Sequence, residues 1–143
     1  MHRKTPMQVP AKEIGVYLVE DSPIMVKLLE ELFRTEAIRV VGHATGARTA
    51  VLEIDALRPD VVIIDLALEQ GTGFDVLRGT APRRAGGRPA LIMLSNYASP
   101  PYREAARQLG ADYFLDKNSE IIQLFPLLES IAKETRKRNG SHR

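Results

Sequence analysis

Five side chains in this sequence combine the groups that phosphoryl chemistry requires. Each closely follows a short apolar run: Glu20 and Asp21 after the first, and then Asp65, Ser95 and Lys117. If these runs are neighbouring strands of one parallel sheet, their carboxyl ends share the edge at which open α/β folds bind ligands. Three clustered carboxylates repel one another unless a cation neutralises them, and oxygen ligands suit Mg2+. With a hydroxyl donor and an ammonium, the set predicts a phosphoryl-transfer site.

The apolar runs before these residues predict the strands that position them. They are continuously apolar, which is typical of strands buried on both faces, rather than alternating. Four runs have this character, and a fifth is more polar: residues 16–19, 61–64, 90–94, 113–115 and, as the fifth, 38–41.

Segments with the period of a helix alternate with these strands. Apolar residues recur three or four positions apart in three of them: Ile24, Leu28 and Leu32 beside Met25, Leu29 and Phe33; Ala47, Ala50, Val51 and Ile54; Tyr102, Ala105, Ala106 and Leu109. Ser22 and Pro23 mark the start of the first helix, and Arg58 and Pro59 mark the end of the second. Gly110 follows the last of these three segments, which is counted as the fourth helix of the chain. The alternation predicts an α/β fold with one parallel sheet and helices on both faces.

Two further segments are interpreted from their prolines and glycines. The last helix is predicted over residues 119–138, where Pro126 lies beyond the first turn and predicts a kink or a restart. Residues 79–88 are basic and rich in glycine but lack the GxxxxGK[ST] pattern of phosphate-binding loops, and we interpret them as a plain loop.

Length and composition exclude several classes of site. The 143 residues suit a single domain, and the absence of cysteine excludes disulfides, thiolate metal sites and cysteine nucleophiles. His2, His43 and His142 have no zinc-ligand spacing, so any metal must be held by oxygen. No apolar run approaches the roughly 20 residues that span a bilayer, and we expect a cytoplasmic protein with no membrane contact.

The charge is distributed unevenly along the chain. The formal net charge is +2, but residues 1–13 form a basic lead and residues 135–143 a basic tail, so residues 14–134 are net acidic. Because the tail has no interleaved aromatic residues, we interpret it as a solvated helix end and expect no direct DNA binding. We assign residues 14–134 to the folded domain.

The chain resembles the receiver domain of bacterial two-component response regulators over residues 14–133. Asp65 follows Asp21 by 44 positions, Ser95 follows Asp65 by 30, and Lys117 follows Ser95 by 22. The segment DLALEQGTGFDVL resembles the phosphoacceptor strand and following loop of the family, and the segment GADYFLDK resembles the last strand of the family. The resemblance implies a flavodoxin-like (βα)5 doubly wound sheet with strand order 2-1-3-4-5.

The resemblance also implies a role for each site residue. Asp65 would accept a phosphoryl group from a histidine kinase or a phosphotransfer protein. Asp21, Asp65 and the backbone carbonyl of Ala67 would hold Mg2+, with Glu20 acting directly or through water. Lys117 would pair with the acyl phosphate.

The same resemblance implies a conformational switch that controls binding to an output protein. Ser95 would move inward to bond the phosphoryl group, and Phe114 occupies the family's aromatic switch position. Because Phe114 has no hydroxyl, we expect packing alone to govern its two positions. The face of the fourth helix, fifth strand and fifth helix, residues 96–107 and 121–128, would bind an output protein or a second copy in a homodimer.

Three residues depart from the family's pattern. Glu20 replaces the commoner Asp, Glu69 stands where Pro is frequent, and Asn118 replaces the Pro that usually follows the lysine. The family's lysine–proline bond is typically cis, whereas a cis bond before a residue other than proline costs about 3 kcal/mol. The sequence leaves the geometry after Lys117 open.

The leading interpretation is a stand-alone receiver that is no enzyme beyond its own phosphorylation and dephosphorylation. One alternative is a metal-dependent phosphotransfer or phosphatase-type enzyme, although Asp65 is followed by Leu66 and Ala67 and the DxDx[TV] pattern of haloacid-type phosphatases is missing. A second is a degenerate receiver that acts as a constitutive interaction module. A third is a receiver fragment of a longer DNA-binding regulator.

Overall fold

Five parallel strands form one sheet in the order β2-β1-β3-β4-β5, as the resemblance to receiver domains implied. The structure is a computed structural model that describes residues 14–34 and 38–140, so the basic lead and the end of the tail lie outside the described residues. The strands are β1 Ile14–Val19, β2 Ile38–Ala44, β3 Val61–Ile64, β4 Ala90–Ser95 and β5 Tyr113–Asp116.

The core lies on both faces of this sheet because successive strand residues point to opposite sides. On one face Leu18, Ile63 and Ile92 are buried beneath the helices α1 (Pro23–Leu32) and α5 (Leu124–Gly140). On the other face, α2 (Ala47–Leu57) and α3 (Gly73–Thr80) pack over a second set of buried residues, which includes Tyr17, Val62 and Met93. Burial on both faces explains why β1, β3 and β4 are continuously apolar. The same prediction for residues 113–115 was wrong, because β5 is an edge strand and Tyr113 is exposed.

The helix boundaries follow the predicted signals. The Ser22 hydroxyl caps α1 by accepting a hydrogen bond from the backbone N–H of Met25 at 3.2 Å, and Pro23 is the first helical residue. Arg58 ends α2 in the left-handed conformation, at φ 52°. Gly110, at φ 107°, follows α4 (Pro100–Gln108).

Two boundary predictions were wrong. A 3-10 turn, Ile121–Gln123, precedes α5, which begins at Leu124, so Pro126 lies in the first turn, where its missing N–H has no intrahelical partner to lose. The α-helix thus restarts at Leu124 after this turn, which is one of the two outcomes predicted for Pro126, whereas the predicted helix start at residue 119 was wrong. Residues 79–88 are only partly a loop, because Gly79 and Thr80 complete α3 and Ala81–Arg83 form a 3-10 turn.

Helix α5 also continues across the predicted start of the basic tail at residue 135, and Thr135 is buried. Among the described residues, no helix has both the length and the apolar character to cross a membrane.

Candidate functional site

The predicted site residues converge at the carboxyl edge of the sheet. Asp65 directly follows β3, the central strand, and its backbone N–H donates to the carbonyl of Val19 in β1 at 2.9 Å. On the other side of β3, the backbone N–H of Lys117 donates to the carbonyl of Ser95, the last residue of β4, at 3.0 Å. Pairing of β3 with β1 and of β5 with β4 therefore fixes the backbones of Asp65 and Lys117 at the same edge of the sheet.

The Lys117 ammonium bridges two buried carboxylates. Its Nζ lies 3.0 Å from Oδ2 of Asp65 and 3.1 Å from Oε1 of Glu20. The exposed fractions of the three side chains are only 14% for Lys117, 9% for Asp65 and 4% for Glu20. Water therefore screens these charges weakly, and the pair interactions are strong.

The pKa values of this group reflect both burial and charge. Burial is the largest influence on Glu20 and raises its pKa, and the Lys117 ammonium offsets only part of this effect. Burial alone would lower the pKa of Lys117, but the hydrogen bonds and charges of Asp65 and Glu20 together raise it. The ammonium therefore stays charged at neutral pH.

Three carboxylates converge closely enough to share one cation. One oxygen each from Glu20, Asp21 and Asp65 lies within 4.8 Å of the other two. All three ligands are hard oxygen donors, and only Asp21 is half-exposed, which leaves an open side for waters. Mg2+ takes few protein carboxylates and keeps several waters, so this donor set fits it.

Ala67, the fourth predicted ligand, lies two residues beyond Asp65 in the loop between β3 and α3. It forms an isolated antiparallel β-bridge with Thr72. Ligation by its carbonyl remains a prediction.

Gly73 is required where α3 begins, because the helix approaches the backbone of Asp65. A Cβ atom at this position would lie 2.5 Å from the carbonyl oxygen of Asp65 and 3.0 Å from the Cα of Leu66. The Gly73 N–H donates to the carbonyl of Leu66 at 2.8 Å. Direct contact between α3 and this loop thus fixes the position of Asp65.

Ser95 is fully buried at the end of β4. Its Oγ accepts a hydrogen bond from the backbone N–H of Tyr97 at 3.1 Å. The hydroxyl thus bonds its own turn.

The turn after Lys117 is held by Asp116 rather than by a proline. The Oδ1 atom of Asp116 accepts hydrogen bonds from the backbone N–H groups of Asn118 at 2.9 Å and Ser119 at 3.4 Å. Among the described residues the cis peptide bond is Arg88–Pro89, so the bond after Lys117 is trans. This carboxylate-capped turn resolves the geometry that the sequence left open.

The expectation that packing alone governs Phe114 was wrong. Its ring is half-buried and packs against the core face that contains Met93, but the guanidinium carbon of Arg103 lies 5.2 Å from the ring centroid. A cation over an aromatic face is attracted electrostatically. Arg103 was missed in the sequence because an arginine within a polar helix carries no signal that distinguishes it from a solvated surface residue.

Comparisons with curated proteins identify relatives with longer chains. The chain is 35% identical to a protein-glutamate methylesterase/protein-glutamine glutaminase of Koribacter versatilis over 124 residues, which are 85% of this chain and 33% of the relative. It is 29% identical over 114 residues to the transcriptional regulatory protein PdtaR of Mycobacterium tuberculosis, covering 80% of this chain and 54% of the relative. The chain therefore spans between a third and about half of the length of these two relatives.

A solved structure matches the fold over most of both chains. It is the receiver domain of a sensor histidine kinase from Pseudomonas aeruginosa with a magnesium ion coordinated in its active-site cleft. The TM-score is 0.73 at 25% identity, and the match covers 85% of this chain and 98% of that one. The sequence pattern of the response regulator receiver domain matches residues 16–129.

Proposed function

Because the chain belongs to the response regulator receiver domain family, we propose that Asp65 accepts a phosphoryl group from a phosphohistidine donor. The observation that carries this proposal is the Asp65 carboxylate at the end of the central strand, paired with Lys117 and grouped with two further carboxylates. The donor would be a histidine kinase or a phosphotransfer protein.

The transfer is a single displacement at phosphorus. An oxygen of Asp65 forms a new bond to phosphorus while the bond from phosphorus to the donor nitrogen breaks, and that nitrogen retains the electron pair and takes a proton from water. The product is an acyl phosphate on Asp65. Lys117 lies 3.0 Å from the carboxylate of Asp65. After transfer, its ammonium would donate to the phosphoryl oxygens instead of to this carboxylate.

Mg2+ is the metal we propose for Glu20, Asp21, Asp65 and the carbonyl of Ala67. A divalent cation at this position would supply positive charge against the phosphoryl oxygens. Before the cation binds, Lys117 offsets part of the negative charge of Glu20 and Asp65, whose ionised forms repel each other. The remaining negative charge of these carboxylates would attract the cation.

The output is a change in protein binding at the face formed by α4, β5 and α5. Support comes from three exposed tyrosines in or beside α4 and β5, namely Tyr97, Tyr102 and Tyr113, of which the first two are in ring contact at 5.7 Å. Tyrosine is enriched at protein interfaces because it joins a large apolar area to a polar group. The occupant is an output protein or a second copy of the chain.

We propose that this chain acts as a phosphoacceptor and has no separate enzymatic activity. Relatives named as methylesterases or transcriptional regulators extend well beyond the region matched, so an activity or DNA binding in a longer protein would reside outside it. The cytoplasmic location inferred from the sequence stays a prediction.

Phosphoramidate, a small donor with a phosphorus–nitrogen bond, tests the proposed transfer without the cognate kinase. With Mg2+, we expect an acyl phosphate signal in the 31P NMR spectrum of the wild type and none for Asp65→Asn. The control is Asp55→Asn, which alters an exposed acid on α2. An equal signal from folded Asp65→Asn would place the acceptor elsewhere.

A further inference from the structure

Arg103 of α4 connects three segments around the site through one guanidinium. Its Nε donates to the carbonyl of Ala98 at 2.7 Å, and Nη1 donates to the carbonyl of Phe114 at 3.0 Å. Its Nη2 forms an ion pair with Oε1 of Glu120 at 3.0 Å. The first segment is the loop that follows Ser95, the second is β5, and the third follows Lys117.

The contact with Glu120 reaches the backbone beside Lys117. The same Oε1 that bonds Arg103 also accepts a hydrogen bond from the backbone N–H of Asp116 at 2.7 Å. The backbone N–H of Glu120 in turn donates to the carbonyl of Asp116 at 2.8 Å. Through Glu120, Arg103 is therefore connected to the backbone next to Lys117.

Arg103 also covers the ring of Phe114, 5.2 Å from its centroid. Planar guanidinium groups can donate several hydrogen bonds in a fixed geometry while stacking on an aromatic face, which a lysine cannot do. The ring, the β5 carbonyl and the loop after Ser95 are thus fixed relative to one another by one rigid group.

We propose that Arg103 is a positioning residue that stabilises the unphosphorylated arrangement and opposes phosphoryl binding at Asp65. This inference rests on the function proposed above. Because the N–H of Tyr97 donates to the Ser95 hydroxyl, an inward movement of Ser95 toward a phosphoryl group on Asp65 would draw the following loop, which contains Ala98, with it. Such a movement breaks or strains the Arg103 contact to Ala98, so the two arrangements differ in how well they bind this guanidinium.

The consequence is a coupling that can be measured. A group that favours the resting arrangement lowers the apparent affinity for any ligand that selects the other one. Removal of Arg103 should therefore tighten ligand binding at Asp65 even though it removes hydrogen bonds and lowers thermal stability. A residue with a merely structural role would lower stability without tightening binding.

Beryllofluoride, a phosphoryl analogue, provides the probe in the presence of Mg2+. We compare the full chain with Arg103→Gln and Arg103→Lys, following binding by amide NMR shifts and stability by thermal unfolding. The control is Arg107→Gln on the same helix, because Arg107 is exposed and pairs with Glu104 within α4. We expect about fivefold or tighter binding in Arg103→Gln, with a lower melting temperature, and wild-type binding in Arg107→Gln.

Arg103→Lys should fall between the wild type and Arg103→Gln, because it keeps the charge but not the planar set of donors. It also provides a folded variant if Arg103→Gln does not fold. Unchanged or weaker binding in the folded Arg103 variants, while the wild type binds, would overturn this inference and leave the proposed function standing. Failure of the wild type to bind beryllofluoride would overturn the proposed function, and the inference with it.

Discussion

The ammonium of Lys117 lies 3.0 Å from the carboxylate of Asp65, although 52 positions separate the two residues in the sequence. Their side chains are almost fully buried, and the same ammonium also bonds Glu20. The pair thus connects the central strand to β5 and defines the charge balance of the site before any cation or phosphoryl group binds.

Replacement of Lys117 should destabilise the metal-free protein. In Lys117→Met, the buried carboxylates of Glu20 and Asp65 lose their partner, which we expect to lower the free energy of unfolding by about 3 kcal/mol at neutral pH. The deficit should shrink as the pH falls, because protonation removes the unpaired charges. Urea unfolding at two pH values measures both effects, with exposed Lys133→Met as the control. Equal loss of stability in the two variants would contradict the role of the buried pairs.

Asp21 should control the response to Mg2+. Because Asp21 is one of three carboxylates within 4.8 Å, Asp21→Ala should raise the melting temperature of the metal-free protein by relieving repulsion. Addition of Mg2+ should raise the melting temperature of the wild type but not that of Asp21→Ala. Thermal unfolding with and without Mg2+ checks both expectations, and Glu69→Ala, an exposed acid outside the cluster, should respond as the wild type does. An Mg2+ response retained in Asp21→Ala would remove this residue from the site.

Ser95 should transmit phosphoryl binding to the output face. Beryllofluoride with Mg2+ should shift the amide resonances of residues 96–107 and 121–128 in the wild type and shift them much less in Ser95→Ala. The control is Ser99→Ala, because the Ser99 side chain makes no capping bond at the start of α4. If Ser95→Ala responds fully, or the wild type does not respond in this region, the signal does not travel through this hydroxyl.

Tyr17 should make stability depend on alkaline pH. Burial, reinforced by the 2.5 Å hydrogen bond to Glu53, raises the pKa of Tyr17 far above its ordinary value. Above about pH 10 the unfolded chain loses this proton while the folded chain keeps it, so the free energy of unfolding should fall by up to ~1.4 kcal/mol per pH unit.

Tyr17→Phe should remove this contribution, whereas Tyr102→Phe, at an exposed position, should retain it. Denaturant unfolding between pH 8 and 11 provides the comparison. An identical pH slope in Tyr17→Phe and the wild type would show that Tyr17 titrates alike in both states.

The strands and the site edge could be predicted because their signals are local. A strand buried on both faces, such as β3, must be continuously apolar, and a charged residue directly after a strand, such as Asp65 or Lys117, must lie at the edge of the sheet. The capped start of α1 at Ser22 is likewise encoded within four residues.

Other features depend on contacts that no local pattern encodes. Helix α1 has two apolar rows, and only the row of Leu29 and Phe33 is buried, whereas Ile24 is 81% exposed. Neighbouring rows differ by about 100° around a helix, so the crossover between strands decides which one faces the sheet. The contacts of Arg103 depend in the same way on where α4 lies relative to β5.

Phosphorylation of Asp65 is the central claim, and intact mass spectrometry after incubation with acetyl phosphate tests it most directly. With Mg2+, the wild type should gain the mass of one phosphoryl group, and this gain should disappear on mild alkaline treatment, as expected for an acyl phosphate. Asp65→Asn, and the wild type with the metal chelated, should gain none. A phosphoryl group retained by folded Asp65→Asn, or no gain by the wild type with Mg2+, would contradict the account.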